Sequence, residues 1–330
     1  MSEIAICWLR RDLRLEDNAA LYHALRSGQP VLPLFIFDTE ILDELEDKHD
    51  ARVEFLYNTC QQLKAQLESM GSSMLVRYGK PAEIWSQLLK EYSIKALYTN
   101  EDWEPYALKR DAAVRSILDA AGVAMYTYKD HVIFDKDEVL KDDGTPYTVF
   151  TPYSRKWKKK LDSKMAVGEG SGSYYLQSYP TEKYFDHFYQ TEALPMLSLN
   201  DMGFKTTDIS IPDKTVTQGL IKSYDETRNF PGIKGTSQLG IHFRFGTISI
   251  REKARKAAQL NETYLNELIW RDFYSQILGN FPHVVGNPFR AKYDFIDWRN
   301  KEAEFEKWCA GETGYPIVDA GMRELNNTGY

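Results

Sequence analysis

Residues 262–278 predict one long helix with two stripes of different character. The first stripe repeats every four residues and is apolar: Leu265, Ile269, Phe273 and Ile277. Nearly opposite, at i, i+3, i+4 and i+7, lie Glu267, Trp270, Arg271 and Tyr274. A cleft that binds a flat ligand with polar edges would suit the second stripe, because Trp stacks, Glu accepts hydrogen bonds and Arg pairs with phosphate. An ordinary surface stripe with a Glu267–Arg271 ion pair explains the same spacing and is commoner.

A second candidate is the segment Gly235-Thr236-Ser237-Gln238-Leu239-Gly240, which follows a Pro-Gly turn and precedes a helical stretch. Small hydroxyl residues in that position can present hydroxyls and backbone N–H groups to an anion. The Gly-Lys-Ser/Thr ending of a P-loop is missing. A plain helix cap is the alternative interpretation, and the segment alone leaves both open.

A third candidate, residues 153–160, interleaves two aromatic residues with basic ones (YSRKWKKK). Such a segment can follow a phosphate backbone while its rings contact sugars or bases, although a solvated helix face is the commoner explanation. The sequence has no GxSxG, HExxH or CxxC motif, and its three cysteines lie far apart. We therefore expect reduced structural thiols, no metal site and no hydrolytic chemistry.

The first 128 residues alternate short apolar runs with helical patterns. Strands are predicted at 4–9, 31–37, 74–78, 96–98 and 123–128, and helices at 19–26, 53–69, 82–92 and 106–121. Asn18 is placed to cap the first helix, Pro81 suits the first turn of the third, and Gly122 can end the fourth. This alternation predicts an α/β domain with a doubly wound parallel sheet covered on both faces. Ligands of such sheets lie at the carboxyl ends of strands, and the first end carries residues 10–14, RRDLR.

Beyond residue 128 the pattern changes twice. Residues 129–199 lose periodicity and predict a long connector that wraps along the first domain and is anchored by aromatic residues. Residues 200–330 are helical without strand-like alternation, so the second domain should be all-α. Ser249 and Glu252 form a capping box, and Gly279 should end the long helix.

The composition is that of a folded protein, with 330 residues and 43% hydrophobic side chains, which is enough for two domains. No apolar run approaches the roughly 20 residues of a membrane helix, and the N-terminus opens directly into a strand-like run. We therefore expect a soluble, cytoplasmic protein. The net charge of −7 argues against an indiscriminate polyanion binder, but it does not exclude a local basic face.

Five segments, in order and over the whole chain, resemble the DNA photolyase/cryptochrome family. Residues 7–21 (CWLRRDLRLEDNAAL) resemble its opening signature, and residues 147–153 (YTVFTPY) its interdomain segment. Residues 235–239 (GTSQL) resemble its flavin diphosphate loop, residues 266–274 (NELIWRDFY) its lesion-facing helix, and residues 313–323 (TGYPIVDAGMR) a further signature. The resemblance implies an α/β domain at 1–128, a connector at 129–199, and an all-α domain at 200–330 that holds FAD in a U-shaped conformation.

The same resemblance assigns roles to individual residues. Those implied to contact FAD are Tyr224, Thr236, Ser237, Gln238, Leu239, Gly240, Tyr264 and Arg271. Gly240 stands where the family often has Ser, and Tyr264 where many members have Trp. Glu267 would hydrogen-bond a damaged base on which Trp270 stacks, and Arg228, Arg271 and Tyr274 complete the implied DNA-binding set. Trp298 matches the surface end of the family's tryptophan electron-transfer chain.

The implied reaction is light-driven repair of cyclobutane pyrimidine dimers, in which photoexcited reduced FAD donates an electron to a dimer flipped out of damaged DNA. A cryptochrome-type blue-light photoreceptor and a nucleotide-binding module without photochemistry are the alternatives. An antenna pigment, a folate or a deazaflavin, is expected near residues 100–106, where the fourth strand ends. Family members continue beyond the segment that ends at residue 330. We therefore expect an incomplete helical domain, weak or absent FAD binding and no repair by these 330 residues alone.

Overall fold

The computed structural model describes residues 3–163 and 173–330, and its first half is built on one parallel sheet. Its strands are β1 (Ile4–Leu9), β2 (Val31–Asp38), β3 (Leu75–Gly79), β4 (Ile94–Asn100) and β5 (Ala124–Tyr128). The order across the sheet is β3-β2-β1-β4-β5, and every neighbouring pair is parallel. The strand order reverses between β1 and β4, which places a crevice at their carboxyl ends. The predicted α/β fold is confirmed.

Helices cover both faces of this sheet. They are α1 (Ala19–Leu25), α2 (Thr39–Leu42), α3 (Ala51–Glu68), α4 (Pro81–Glu91) and α5 (Pro105–Ala120). Alternate residues of β1 enter two separate apolar layers: Ala5, Cys7 and Leu9 pack with α1 and α3, whereas Ile4, Ile6 and Trp8 pack with α4 and α5. Burial on both sides explains why the strands are apolar throughout. The predicted cap is present, because the Leu21 amide donates to the Asn18 side chain.

The described parts of the connector, residues 129–163 and 173–199, contain more regular structure than the sequence predicts. They contain helix α6 (Phe150–Asp162), which buries Tyr153, Trp157 and Leu161, and short 3₁₀ helices at Tyr174–Leu176 and Thr181–His187. Helix α6 packs on the long helix that follows later in the chain, so it belongs to the helical layer. The connector returns to the amino end of β2, where the Tyr189 amide donates to the Val31 carbonyl at 2.8 Å.

The second half is helical. After a 3₁₀ turn at Asn200–Met202 come α7 (Gln218–Lys222), α8 (Tyr224–Thr227), α9 (Gly240–Phe245), α10 (Ile250–Leu260), α11 (Glu262–Asn280), α12 (Glu302–Ala310) and α13 (Pro316–Thr328), with 3₁₀ turns at Pro282–Val285 and Ala291–Phe295. Ser249 caps α10 by accepting from the Glu252 amide, but the Glu252 carboxylate pairs with Lys256 instead of reaching back. The prediction that Gly279 ends the long helix is wrong, since α11 continues to Asn280. None of the helices in the described ranges is long and apolar enough to cross a membrane.

A buried ionic network joins the two halves. Arg251 of α10 contacts Asp17 at 2.9 Å and Asp130 at 2.8 Å, and Arg14 contacts Asp130 at 2.7 Å. Burial alone would raise the pKa of Asp130, but the two guanidinium groups hold that pKa far below its usual value. All four side chains are almost inaccessible to solvent. The network therefore fixes the helical half on the loop that follows β1.

Candidate functional site

Helix α11 carries the predicted site residues on its less buried side. Asn261 caps the helix by accepting from the Tyr264 amide at 3.0 Å. The apolar stripe faces the third core, with Leu265, Ile269 and Phe273 buried there. Glu267 and Trp270 are partly exposed, and Tyr274 is 63% exposed. Burial therefore confirms the apolar stripe, while three of the four residues of the second stripe are accessible and the guanidinium of the fourth, Arg271, is buried.

Glu267 forms an ion pair with Arg228, which comes 39 residues earlier in the chain. The pair is about one-third exposed, and the hydrogen bond that Arg228 donates to Glu267 is the main reason that the pKa of Arg228 is raised. The Arg228 guanidinium also lies 5.5 Å from the centre of the Tyr224 ring, which meets Tyr264 edge-on at 5.0 Å. The structure thus brings together four predicted residues, two assigned to FAD and two to DNA. The Glu267–Arg271 pair considered from spacing is not the one that forms.

Trp270 lies in a row of aromatic rings. The Phe150 ring is parallel to the indole, with 3.6 Å between ring centres and 5° between planes. Tyr274 lies on the same side of α11, 5.5 Å away and tilted by 24°. Phe150 is absent from the predicted set, although it lies within the YTVFTPY segment that carries the resemblance. That segment was the signal that could have found it.

Arg271 is turned away from Glu267, toward the α/β half. Its guanidinium donates to the carbonyl oxygens of His131 and, at 3.4 Å, Phe243. Burial lowers its pKa to about 10. The structure does not bring it to the 235–240 loop, and its assignment to a phosphate group stays a prediction.

The loop that precedes α9 has a backbone that only particular residues allow. A Cβ atom at Gly235 would lie 2.7 Å from the backbone of Thr227, and Gln238 has a φ of +50°. Leu239 is buried, whereas the Thr236 side chain is exposed and Ser237 is half-buried. The Gln238 amide donates to Glu324 of α13 at 2.6 Å. Gly240 begins α9 beside the ring of Tyr330.

The residues around this loop fit FAD in their chemistry. Two hydroxyl side chains, Thr236 and Ser237, offer hydrogen bonds of the kind that a diphosphate accepts. Burial raises the pKa of Tyr264, and its buried hydroxyl has no hydrogen-bond partner among the described residues, beside the ring of Tyr224. Hydroxyl donors beside two aromatic rings suit a cofactor with a diphosphate and flat ring systems. Glu324 is the one acidic side chain that contacts the loop through a side-chain hydrogen bond among the described residues.

Asp272 lies on the buried side of α11, and the sequence alone did not identify it as part of the site. One carboxylate oxygen accepts from the Ile133 and Phe134 amides at 3.1 and 3.2 Å, and from the Trp157 indole N–H at 3.0 Å. Burial raises the pKa of this carboxyl to about 6, against those hydrogen bonds and Arg271. Asp272 therefore ties α6 and the turn at residues 133–134 to α11.

Two other predicted features lie elsewhere. In the basic segment Tyr153 and Trp157 are buried, while Lys156 and Lys158 pair with Asp142 and Glu262. The interpretation of that segment as basic residues with rings free to contact bases is therefore wrong. Trp298 is 68% exposed, between Ala291–Phe295 and α12, and has no contact with the Glu267–Trp270 cluster among the ring contacts of the described residues.

A cavity of about 570 Å³ lies between the carboxyl ends of β1 and β2 and helix α9, and Gly240 and Tyr330 also line it. The segment predicted to border a strand-end ligand contributes Asp102, Glu104 and Tyr106 to its wall. Two guanidinium groups, of Arg10 and Arg110, lie 5.1 and 5.0 Å from the Trp8 ring there. Its volume is in the range of small-molecule sites. No group of three or more His, Cys, Asp or Glu residues able to hold a metal occurs in ranges 3–163 and 173–330.

Comparisons with known proteins agree with this architecture. The profile described as "DNA photolyase" matches residues 5–169, and that described as "FAD binding domain of DNA photolyase" matches residues 264–330. The deoxyribodipyrimidine photo-lyases of Synechococcus sp. and Halobacterium salinarum are each 32% identical to the chain, over 100% and 98% of it. The chain covers 72% and 71% of their lengths.

Solved structures show the same fold. An archaeal photolyase from Sulfolobus tokodaii, described with two FAD molecules, has a TM-score of 0.75 and 29% identity, over 99% of this chain and 71% of its own. The Synechocystis cryptochrome has a TM-score of 0.76 over 99% of this chain and 72% of its own, and its 22% identity speaks to the fold alone. The sheet, the helical half and the site helix therefore have one explanation, which is that the chain belongs to the DNA photolyase/cryptochrome family and carries its FAD-binding domain.

Proposed function

We propose that this protein repairs cyclobutane pyrimidine dimers in DNA with light, by electron transfer from reduced FAD. The observation that carries the proposal is that Glu267 and Trp270 lie one turn apart on the less buried side of α11. Tyr224 lies beside the Arg228 partner of Glu267 and contacts Tyr264, and the 235–240 loop with its two hydroxyl side chains fits FAD in chemistry. Relatives named deoxyribodipyrimidine photo-lyase, over nearly the whole chain, support the same conclusion.

Each side chain of the cluster has a distinct proposed task. Trp270 stacks on a pyrimidine that has left the helix, which offsets part of the unstacking energy. Glu267 accepts hydrogen bonds from the N–H groups of the damaged base, and Arg228 holds the carboxylate in place. Arg228 and Tyr274, which are accessible at the same surface, contact the DNA strand. Reduced FAD held beside this cluster would supply light-driven one-electron chemistry for opening the cyclobutane ring.

Blue-light repair of a dimer-containing oligonucleotide tests the proposal directly. The purified protein with reduced FAD bound should restore the dimer to two pyrimidines in light and leave it unchanged in darkness. Glu267→Gln is the matched variant, because it keeps the shape of the side chain and removes its charge. No loss of dimers in light, with reduced flavin bound, would instead favour a blue-light photoreceptor of the same fold.

We also propose that the 570 Å³ cavity at the ends of β1 and β2 holds a light-harvesting pigment. Aromatic walls suit a flat molecule with polar edges, and a folate and a deazaflavin both meet that description. Arg10 and Arg110, which both pair with Asp111, lie beside the Trp8 ring in this wall. Denaturing the purified protein and measuring absorbance and mass of the released pigment identifies it. Arg110→Ala should lower pigment content and leave FAD content unchanged. Equal pigment in both proteins would place it elsewhere.

A further inference from the structure

We infer that Phe150 is a positioning residue for Trp270, one that fixes the plane of the indole and covers one of its faces. The contact between Trp270 and DNA comes from the proposed function, so the inference rests on it. The contact between Phe150 and Trp270 is observed within the protein itself. It makes helix α6, which comes more than a hundred residues earlier in the chain, part of the site on α11.

The geometry of the two rings carries the inference. At 3.6 Å and 5°, Phe150 is in van der Waals contact with one face of the indole and nearly parallel to it. The edge of Phe273 meets both rings, at 5.8 Å from Phe150 and 5.6 Å from Trp270, with planes 81° and 82° apart. A base cannot stack on a face that another ring already covers. A flipped base therefore cannot use that face of Trp270 and must stack on the part of the indole that Phe150 and the nearby Tyr274 ring, 5.5 Å away, leave uncovered.

Phe150 can perform this task because the structure holds it firmly. It is the first residue of α6, whose next turns bury Tyr153 and Trp157 in the third core. The Trp157 indole donates to Asp272 of α11 at 3.0 Å, and Tyr153 packs on Phe273 at 5.2 Å. The two helices are thus locked together within two turns of the stacked rings. The indole plane is set before DNA arrives, which lowers the ordering entropy lost on binding.

The test measures binding of a dimer-containing oligonucleotide and of its undimerised counterpart to four forms of the purified protein. These are the unchanged protein, Phe150→Ala, Phe150→Leu and Phe150→Tyr. Loss of the ring should weaken binding of dimer DNA by about 3- to 10-fold, the range that corresponds to one aromatic pair. Phe150→Leu keeps apolar volume and should behave like the Ala variant, whereas Phe150→Tyr should restore affinity. Val149→Ala, at the 59% exposed neighbouring position, is the matched control and should change nothing.

A double-mutant cycle separates positioning from a general structural effect. In a Trp270→Ala background, Phe150→Ala should cause no further loss of affinity. The same cycle read by near-UV circular dichroism, without DNA, should show a Phe150-dependent signal that disappears in the Trp270→Ala background. Equal losses with and without Trp270, or an unchanged signal, would overturn the inference. If Trp270→Ala itself leaves the discrimination between the two DNAs intact, the proposed function fails instead.

Discussion

Trp270 and Glu267, one turn apart on α11, are expected to have different tasks: Trp270 binds the damaged DNA, and Glu267 promotes the repair reaction. Trp270→Ala should weaken binding to dimer-containing DNA by about 1–3 kcal/mol, the usual contribution of one stacked base. Glu267→Ala should bind nearly as well but repair fewer dimers per absorbed photon, because its hydrogen bonds stabilise the charge that develops on the base. Titration of both variants with damaged and intact DNA, followed by repair yield, checks the division. Unaltered discrimination in both variants would show that the lesion face lies elsewhere.

For individual residues, the sequence predicted which side chains share a helix face better than it predicted which side chains they contact. Helical periodicity placed Glu267 and Trp270 on one face of α11, because residues three and four apart are neighbours on any helix. It could not predict that Glu267 pairs with Arg228, since that contact depends on where α8 packs. Phe150 and Asp272 were missed for the same reason. Their roles arise from the approach of α6 to α11, which local spacing does not encode.

Asp272 makes the junction between α6 and α11 sensitive to pH. Burial raises its folded-state pKa from 3.8 to about 6, so the folded protein binds this proton more tightly than the unfolded chain. The stabilising contribution is present below pH about 4 and is lost as pH rises through about 6. This contribution to the free energy of unfolding is about 3 kcal/mol, because the carboxyl pKa is about two higher in the folded protein than in the unfolded chain. Asp272→Asn cannot ionise and should not show this loss.

Urea unfolding of the unchanged protein and of Asp272→Asn between pH 4 and pH 8 measures the difference. The free energy of unfolding of the unchanged protein should fall relative to that of the variant as the pH rises. Asp142→Asn is the matched control, because the hydrogen bond from Lys156 lowers the pKa of that exposed carboxyl, and its titration cannot produce such a fall. Parallel pH profiles for the unchanged protein and Asp272→Asn would contradict the prediction.

Among the elements, the sheet was predicted closely and the connector was not. Strands buried on both faces are short apolar runs between clear turn signals, so β1 to β5 could be located within about two residues. Residues 153–160 were interpreted mainly as a solvated helix face, and the burial of one side of α6 was missed, because that side is narrow, with Tyr153, Trp157 and Leu161 among many lysines. Such a pattern is also that of a solvated helix. Only the presence of α11 explains which side is covered.

For the whole molecule, Arg251 is the main ionic tie between the halves, since it pairs with both Asp17 and Asp130. Arg251→Met should lower the free energy of unfolding by about 3–5 kcal/mol, because two buried carboxylates lose a shared partner. Lys256→Met on the exposed side of the same helix is the control, and its ion pair with Glu252 should contribute less than about 1 kcal/mol. Denaturant unfolding of the unchanged protein and of both variants measures these differences in the free energy of unfolding. A change below about 1 kcal/mol for Arg251→Met would show that packing alone joins the halves.

The same network has a consequence for how the protein is made. Asp17 and Arg251 are 234 residues apart in the chain, whereas Arg14 and Asp130 are 116 apart. At about 5–20 residues per second, Arg251 leaves the ribosome roughly 10–50 s after Asp17. During that interval the sheet and the Arg14–Asp130 pair can form, but Asp17 has no guanidinium partner from α10. The nascent sheet domain therefore lacks the guanidinium partner of the Asp17 carboxylate until Arg251 has emerged, and docking of α10 then completes the ionic network.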